Sequence, residues 1–319
     1  MLVTILFLIL GLGLLYWGAE WLVKGSSLIA RYIKISAIII GLTVVSFATS
    51  APELFVSVTA QLKGSADIAV GNVVGSNIAN IGLILGLAAL VSSLKIHGRT
   101  VKNELPMVIM VSALLFILCI DKQLSRLDGT ILIILFGLFL YYNIYFARKD
   151  REEKKEIEKE LETEKIDRKK RWLWNIFRVL IGLALLVIGS KFLVDSSVEI
   201  AKTIGISEMV IGLTLVAIGT SIPELATSLV ATIKKEQDIS VGNVVGSNIF
   251  NILLILGVAS LISPIDVNFK MVRVDMAIMI FFAVLLLYLM RRNYQLSRWE
   301  GGILLVCYVS YIIYLFTGK

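Results

Sequence analysis

Histidine and cysteine are almost absent from this sequence of 319 residues, which has one histidine and two cysteines. His97 lies in a polar stretch beside Lys95 and Arg99, whereas Cys119 and Cys307 stand alone in apolar runs. A zinc site needs several nitrogen or sulfur ligands at characteristic spacings. The sequence therefore excludes a zinc enzyme. We expect His97 in a solvated loop and both cysteines to be small buried apolar residues.

Charged residues are also scarce, at 17% of the chain against 57% hydrophobic residues, and the mean hydropathy is +0.87. Uncharged apolar windows of about 20 residues recur along the sequence, and each is long enough to cross a bilayer. The N-terminal stretch has neither the basic region nor the cleavage site of a secretory signal, so it is interpreted as the first span. We predict an all-α polytopic membrane protein.

The net charge of +7 does not indicate a nucleic-acid-binding protein, because the Lys and Arg residues lie in connections between apolar spans. Most of them fall on one side when the N-terminus is placed outside the cell. This bias predicts a multi-pass protein of the plasma membrane with both termini outside. The expected partner is the lipid bilayer; we expect no nucleic acid and no obligate protein partner.

The hydropathy pattern predicts ten spans in two groups of five, separated by a segment at 148–171 with dense charge of alternating sign. That segment is expected to be a solvated, cytoplasmic linker. The second span is interrupted near Thr49–Pro52. The predicted spans are Leu2–Val23, Ser36–Leu62, Ile68–Val91, Leu105–Ile120, Leu127–Phe146, Trp172–Val194, Ser207–Ile233, Ile239–Ser263, Met271–Met290 and Trp299–Phe316.

One stretch of the sequence occurs twice. Residues 41–90 and 212–261 align without a gap at an offset of 171, and 31 of the 50 positions are identical. Because each half has an odd number of spans, the second half must enter the membrane upside down, which makes an inverted repeat. We therefore divide the chain into a first five-helix repeat at 1–147, the linker at 148–171, and an inverted repeat at 172–319.

Each copy of the repeat carries the motif T-S-x-P-E inside its first apolar span. Thr49, Ser50 and Glu53 share one helix face, and Pro52 is expected to break the helix and free carbonyls of the preceding turn, including that of Ser46. A carboxylate in the middle of a span is costly and marks a functional site by default. The second copy carries the same groups at Thr220, Ser221, Pro223 and Glu224.

Each copy continues with the motif G-N-V-V-G-S-N-I-x-N. It places polar side chains at i, i+4 and i+8 of one helix, namely Asn72, Ser76 and Asn80, and again Asn243, Ser247 and Asn251. Together the two copies supply carboxylate, hydroxyl, amide and carbonyl oxygens, which favour calcium, sodium or magnesium over transition metals. The sequence therefore predicts one central ion site between broken helices.

Two structural interpretations compete with this site. Ser50 with Glu53, and Ser221 with Glu224, also fit a capping box that starts the second half of a broken helix. Asn72 and Asn243 also fit as interhelical hydrogen-bond donors.

The paired motifs T-S-x-P-E and G-N-V-V-G-S-N-I-x-N resemble the repeats of the sodium/calcium exchanger family, and the resemblance covers the whole ten-span plan. It implies that Glu53 and Glu224 bind calcium and also contact sodium, and that Asn80 and Asn251 complete the centre. Some relatives carry Asp at the position of Asn251. The implied sodium ligands are Thr49, Ser50, Thr220, Ser221, Ser76, Ser247 and the carbonyls of Ser46 and Ala217.

By this resemblance the protein is expected to be an antiporter that exchanges sodium for calcium by alternating access. The first and sixth spans are expected to slide across a rigid core formed by the second, third, seventh and eighth spans. It is not expected to be an enzyme or to need a cofactor beyond the transported ions. A proton/calcium exchanger remains an alternative. A cation channel or an intramembrane hydrolase is a further alternative, although a hydrolase would require a nucleophile with its base or an aspartyl dyad.

Overall fold

The computed structural model describes residues 2–33, 35–64, 66–157, 168–203 and 219–317. Within these residues the fold is almost entirely helical. The first half contains α1 Leu2–Ile33, α2 Ala37–Ile40, α3 Ser46–Thr49, α4 Ala51–Leu62, α5 Ala66–Ala79, α6 Gly86–Val91, α7 Leu105–Leu118 and α8 Arg126–Ile157. The second half contains α9 Arg168–Thr203, α10 Ile222–Ile233, α11 Gln237–Phe250, α12 Gly257–Ile262, α13 Phe269–Asn293 and α14 Arg298–Thr317.

Wider π-helical turns join several of these helices into continuous rods. They occupy Gly41–Val45 between α2 and α3, Asn80–Leu85 between α5 and α6, Thr100–Glu104 before α7, and Asn251–Leu256 between α11 and α12. A π-helical turn inside an α-helix is often found at a functional site. Of these four turns in the described part of the chain, two begin at Asn80 and Asn251, which are predicted site residues.

The described residues include eight helical rods that are long and apolar enough to cross a membrane. A ninth span is the pair Ala37–Thr49 and Ala51–Leu62, whose two parts are bent by 45°. The remaining predicted span, Ser207–Ile233, is described only from residue 219 onward, where it contains the short apolar helix α10. The prediction of a polytopic helical membrane protein with broken helices is confirmed.

Helix α1 runs further than the predicted first span. Lys24 and Arg31, expected in a polar connection, are both helical, because the small residues between them, Ser26 and Ala30, are buried and keep this turn packed. The ends of the charged linker are also helical, since α8 continues to Ile157 and α9 begins at Arg168.

Four two-residue strands, which the sequence did not predict, link the halves at the ends of the helices. Strand β1 (Leu94–Lys95) pairs antiparallel with β4 (Gln295–Leu296), and β2 (Gln123–Leu124) pairs antiparallel with β3 (Ile265–Asp266). Each pair joins one connection of the first half to one of the second half. In an inverted repeat the paired connections lie on the same side of the membrane, so the strand pairs agree with that topology.

The rod α1 crosses α9 through glycines on both helices. A Cβ atom on Gly18 would lie 2.8 Å from the carbonyl oxygen of Gly182, and one on Gly11 would lie 3.0 Å from that of Gly189. Only residues without a side chain allow the two backbones to approach so closely. These helices therefore form one closely packed pair.

Helix α11 lies at the centre of the molecule, with every residue from Ile239 to Phe250 buried. It packs against the first part of the broken span at Gly242, where a Cβ atom would lie 2.7 Å from the carbonyl oxygen of Ile38. This close approach brings the polar side chains of α11 beside the break at Ser50.

Candidate cation-binding site

Both T-S-x-P-E motifs lie where a helix begins. Ser50 leaves helical geometry, with φ −82° and ψ 7°, between α3 and α4, and Ser221 has φ −88° and ψ 6° just before α10. Pro52 and Pro223 lie in the first turns of α4 and α10, where a residue without an N–H group is tolerated. The motif therefore sets both the break and the position of the glutamate one residue after the proline.

Glu53 and Glu224 are the two carboxylates of this centre, and each is at most 1% exposed. Among the ion pairs of the described residues, none involves either glutamate. Each glutamate instead accepts a hydrogen bond from the serine of the opposite half. Ser50 Oγ donates to Glu224 Oε1 at 3.0 Å, and Ser221 Oγ donates to Glu53 Oε1 at 3.2 Å.

These cross-half bonds bear on the capping-box interpretation. Neither Ser50 nor Ser221 makes a side-chain hydrogen bond to the start of its own helix. A capping box requires that bond. The serines thus bring the two broken helices together, and Ser76 joins this group with its Oγ 3.2 Å from that of Ser221.

The threonines of the two motifs also reach across the halves. Thr49 Oγ1 donates to Asn243 Oδ1 at 2.9 Å, and Thr220 Oγ1 donates to Asn72 Oδ1 at 3.3 Å. Each threonine lies four residues before the glutamate of its own motif and contacts a helix of the other repeat.

Asn72 and Asn243 use their amide nitrogens within their own halves. Asn72 Nδ2 lies 3.0 Å from Ser57 Oγ and 3.4 Å from the carbonyl oxygen of Glu53. Asn243 Nδ2 makes the equivalent contacts with Ser228 Oγ at 3.1 Å and the carbonyl oxygen of Glu224 at 3.4 Å. Because their oxygens accept from threonines as well, these contacts favour the interhelical interpretation of both asparagines.

Five buried oxygens of predicted site residues have no hydrogen-bond partner in the described part of the chain. They are Glu53 Oε2, Glu224 Oε2, Asn80 Oδ1, Asn251 Oδ1 and Ser247 Oγ. Buried polar atoms are nearly always hydrogen-bonded, and each exception calls for an explanation such as a bound ion. Four of the five are carboxylate or amide oxygens that can only accept, so a cation or a hydrogen-bond donor would satisfy them.

The backbone around Ser46 differs from the expectation. Its carbonyl is not freed by Pro52, because it accepts the N–H of Ser50 at 2.9 Å. The N–H that Pro52 lacks would have bonded to the carbonyl of Ala48, four residues earlier. The hydroxyl of Ser46 is buried and bonds to backbone carbonyls. The other predicted carbonyl, that of Ala217, lies outside the described residues.

Two asparagines that contact the predicted ligands are not among the site residues predicted from the sequence. Asn77 Oδ1 accepts from Asn251 Nδ2 at 3.0 Å, and Asn248 Oδ1 accepts from Asn80 Nδ2 at 3.3 Å. Both follow a serine in the motif G-S-N, and their buried position in a duplicated motif was the available signal. Across the described residues there is no cluster of three or more His, Cys, Asp or Glu side chains. The site thus has two carboxylates surrounded by neutral oxygens.

Comparison with known proteins identifies the family. The family model described as "Sodium/calcium exchanger protein" matches residues 3–145 and 174–317, which is nearly the whole chain. The putative antiporter CaxA of Alkalimonas amylolytica is 41% identical over 321 residues, covering 100% of both chains. The sodium/calcium exchanger MaX1 of Methanosarcina acetivorans is 33% identical over 347 residues, covering 98% of this chain and 99% of the relative.

A solved structure has the same fold. The sodium-calcium exchanger NCX_Mj, soaked with Na⁺ and without Ca²⁺, superimposes with a TM-score of 0.84 at 32% identity and covers 100% of this chain and 99% of its own. The similarity in sequence and in structure therefore extends over the full length of the chain. The chain belongs to the sodium/calcium exchanger family, a family of ion antiporters in the membrane.

Proposed function

We propose that this antiporter exchanges sodium for calcium across the plasma membrane by alternating access. The observation that carries the proposal is the central group of buried oxygens, in which two carboxylates without a cationic partner lie among neutral acceptors. The relatives MaX1 and NCX_Mj, which are described as sodium/calcium exchangers, support the same pair of ions.

Calcium binding is assigned to Glu53 and Glu224, with Asn80 and Asn251. Two carboxylates neutralise one divalent ion, which limits the cost of holding its charge away from water. Oxygens from carboxylate and amide groups are also the ligands that calcium prefers. In this assignment the unpartnered oxygens Glu53 Oε2, Glu224 Oε2, Asn80 Oδ1 and Asn251 Oδ1 turn towards the ion.

Sodium binding is assigned to the hydroxyls around the carboxylates. A hydroxyl has one proton to donate and two lone pairs. Thr49 and Ser50 donate their protons to Asn243 and Glu224, so their remaining lone pairs are available to a cation and not to an anion. The assigned residues are Thr49, Ser50, Thr220, Ser221, Ser76 and Ser247, with the carbonyls of Ser46 and Ala217.

The topology proposed for the chain has both termini outside the cell and the linker at 148–171 in the cytoplasm. It joins a first repeat at 1–147 to an inverted repeat at 172–319. Because the linker lies outside both repeats, shortening it within 158–167 should leave exchange intact, and a loss of flux in such a variant would contradict this division.

The purified protein should be reconstituted in liposomes, and calcium uptake measured under an imposed sodium, proton or potassium gradient. We expect uptake driven by an outward sodium gradient when the proton gradient is collapsed. Uptake that ignores sodium and follows a pH gradient would replace the proposal with a proton/calcium exchanger. Uptake that requires potassium would indicate that potassium is transported together with calcium. Single-channel currents would indicate a channel.

A further inference from the structure

The duplicated motif G-S-N-I-x-N holds an asparagine that the proposed function does not use. Asn77 is 1% exposed, and its amide nitrogen lies 3.2 Å from the backbone carbonyl oxygen of Asn248 and 3.6 Å from the sulfur of Met279. A carbonyl oxygen can only accept, so the nitrogen of Asn77 must face it. The direction of the Asn77 amide is therefore fixed by backbone atoms that cannot rotate to suit it.

The direction of the Asn77 amide in turn orients the amide of Asn251, a predicted ligand. With its nitrogen towards Asn248, Asn77 presents Oδ1 to Asn251, whose Nδ2 donates to it at 3.0 Å. The oxygen of Asn251 is then turned away from Asn77, and it is one of the buried atoms without a hydrogen-bond partner among the described residues. An amide flip at Asn251 would place its NH₂ group there instead and set two oxygens against each other at Asn77.

The other half shows the related contact. Asn248, 171 residues after Asn77, accepts at Oδ1 from Asn80 Nδ2 at 3.3 Å, and Asn80 Oδ1 is likewise unpartnered. Each ligand amide is thus held by an asparagine of the opposite repeat. The contact at Asn77 is the shorter of the two.

We propose that Asn77 is a positioning residue that keeps the oxygen of Asn251, and not its NH₂ group, towards the transported cation. The inference rests on the proposed function, since it needs a cation at the centre. Position 77 must donate and accept at the same time, and among side chains of this size an amide does both in a fixed direction. An aspartate would lose the donor to Asn248, and a leucine would lose both bonds.

The test is calcium binding by isothermal titration calorimetry on the full chain in detergent. The variant Asn77→Leu should bind calcium about tenfold more weakly, which corresponds to about 1.4 kcal/mol. Should this variant not fold, Asn77→Thr serves in its place. The threonine hydroxyl can donate to the backbone carbonyl of its own preceding helical turn, which leaves the amide of Asn251 without an acceptor at position 77. A calcium affinity equal to that of the wild type in a folded variant would overturn the inference.

A matched control separates positioning from general loss of a buried amide. Asn143 is also fully buried, and its side-chain oxygen accepts a hydrogen bond from Arg99. Neither residue belongs to the proposed ion site. The variant Asn143→Leu should lower the melting temperature without changing the calcium affinity. If it weakens calcium binding as much as Asn77→Leu does, the effect at position 77 is not specific and the inference fails.

A double-mutant cycle with Asn251→Ala shows whether Asn77 acts through Asn251. With the ligand amide removed, Asn77→Leu should change the calcium affinity less than about twofold, whereas independent effects would multiply. A full tenfold loss in the Asn251→Ala background would contradict the inference. A wild-type protein that binds no calcium would instead refute the proposed function, so the two failures are distinguishable.

Discussion

The variant Glu53→Gln tests the proposed calcium site most directly. Glu53 is completely buried; Oε1 accepts from Ser221, and Oε2 has no partner in the described part of the chain. Glutamine has the same size and keeps an oxygen for Ser221, so the broken helices should remain together. What is lost is one negative charge, and an NH₂ group now faces the cation.

The expected magnitude follows from the burial of the pair. Removing one partner of a buried charge pair costs about 3–5 kcal/mol, because the other charge is left uncompensated. At about 1.4 kcal/mol for each factor of ten, calcium affinity should fall by roughly 140- to 3,700-fold. Glu224→Gln should behave in the same way, since Glu224 has equivalent contacts with Ser50.

The assay is calcium binding by calorimetry, together with calcium flux in proteoliposomes, on protein that elutes as a single species. Glu104→Gln is the matched control, because Glu104 is a buried carboxylate whose ion-pair partner, Arg99, lies 2.8 Å away. That variant should lose stability but keep its calcium affinity. Flux close to that of the wild type in Glu53→Gln or Glu224→Gln would refute the proposed calcium site.

Three further changes test other parts of the proposal. Thr49→Ala and Thr220→Ala should each raise the sodium concentration needed to drive calcium flux, with a smaller change in the apparent calcium affinity. Equal shifts for both ions would contradict the sodium assignment. A cysteine introduced by Lys159→Cys should resist an impermeant thiol reagent added outside intact cells, and rapid labelling there would reverse the topology. Gly18→Ile should lower the melting temperature, because even a Cβ atom at this position would lie 2.8 Å from the carbonyl oxygen of Gly182. An unchanged melting temperature would mean that α1 and α9 can move apart without loss of stability.

The sequence predicted those features that depend on local signals. Pro52 and Pro223 interrupt apolar spans, and the structure begins a helix at each of them. The glutamates stand out because a carboxylate in an apolar span is rare. The offset of 171 between the two copies predicted the repeat, and the odd number of spans in each half predicted its inversion.

The contacts between the halves could not be predicted from either half alone. Two-residue strands such as β1 and β4 have too little alternation to give a pattern, and their pairing depends on how distant helix ends meet. The role of Asn77 was missed because its amide direction is set by the backbone of Asn248, 171 residues away. The end of α1 was misplaced because burial of Ser26 and Ala30 keeps a turn helical that contains Lys24 and Arg31.

The hydrogen bonds at the centre explain why both copies of the motif keep the same residues. Ser50 needs the carboxylate of Glu224, and Ser221 needs that of Glu53, so each broken helix supplies the donor for the other. A substitution that removes the serine hydroxyl or the accepting side-chain oxygen in one copy therefore leaves a buried polar group of the opposite copy without its partner, which is destabilising. The two halves consequently cannot change independently at these positions, even though no local rule of helix formation requires serine and glutamate there.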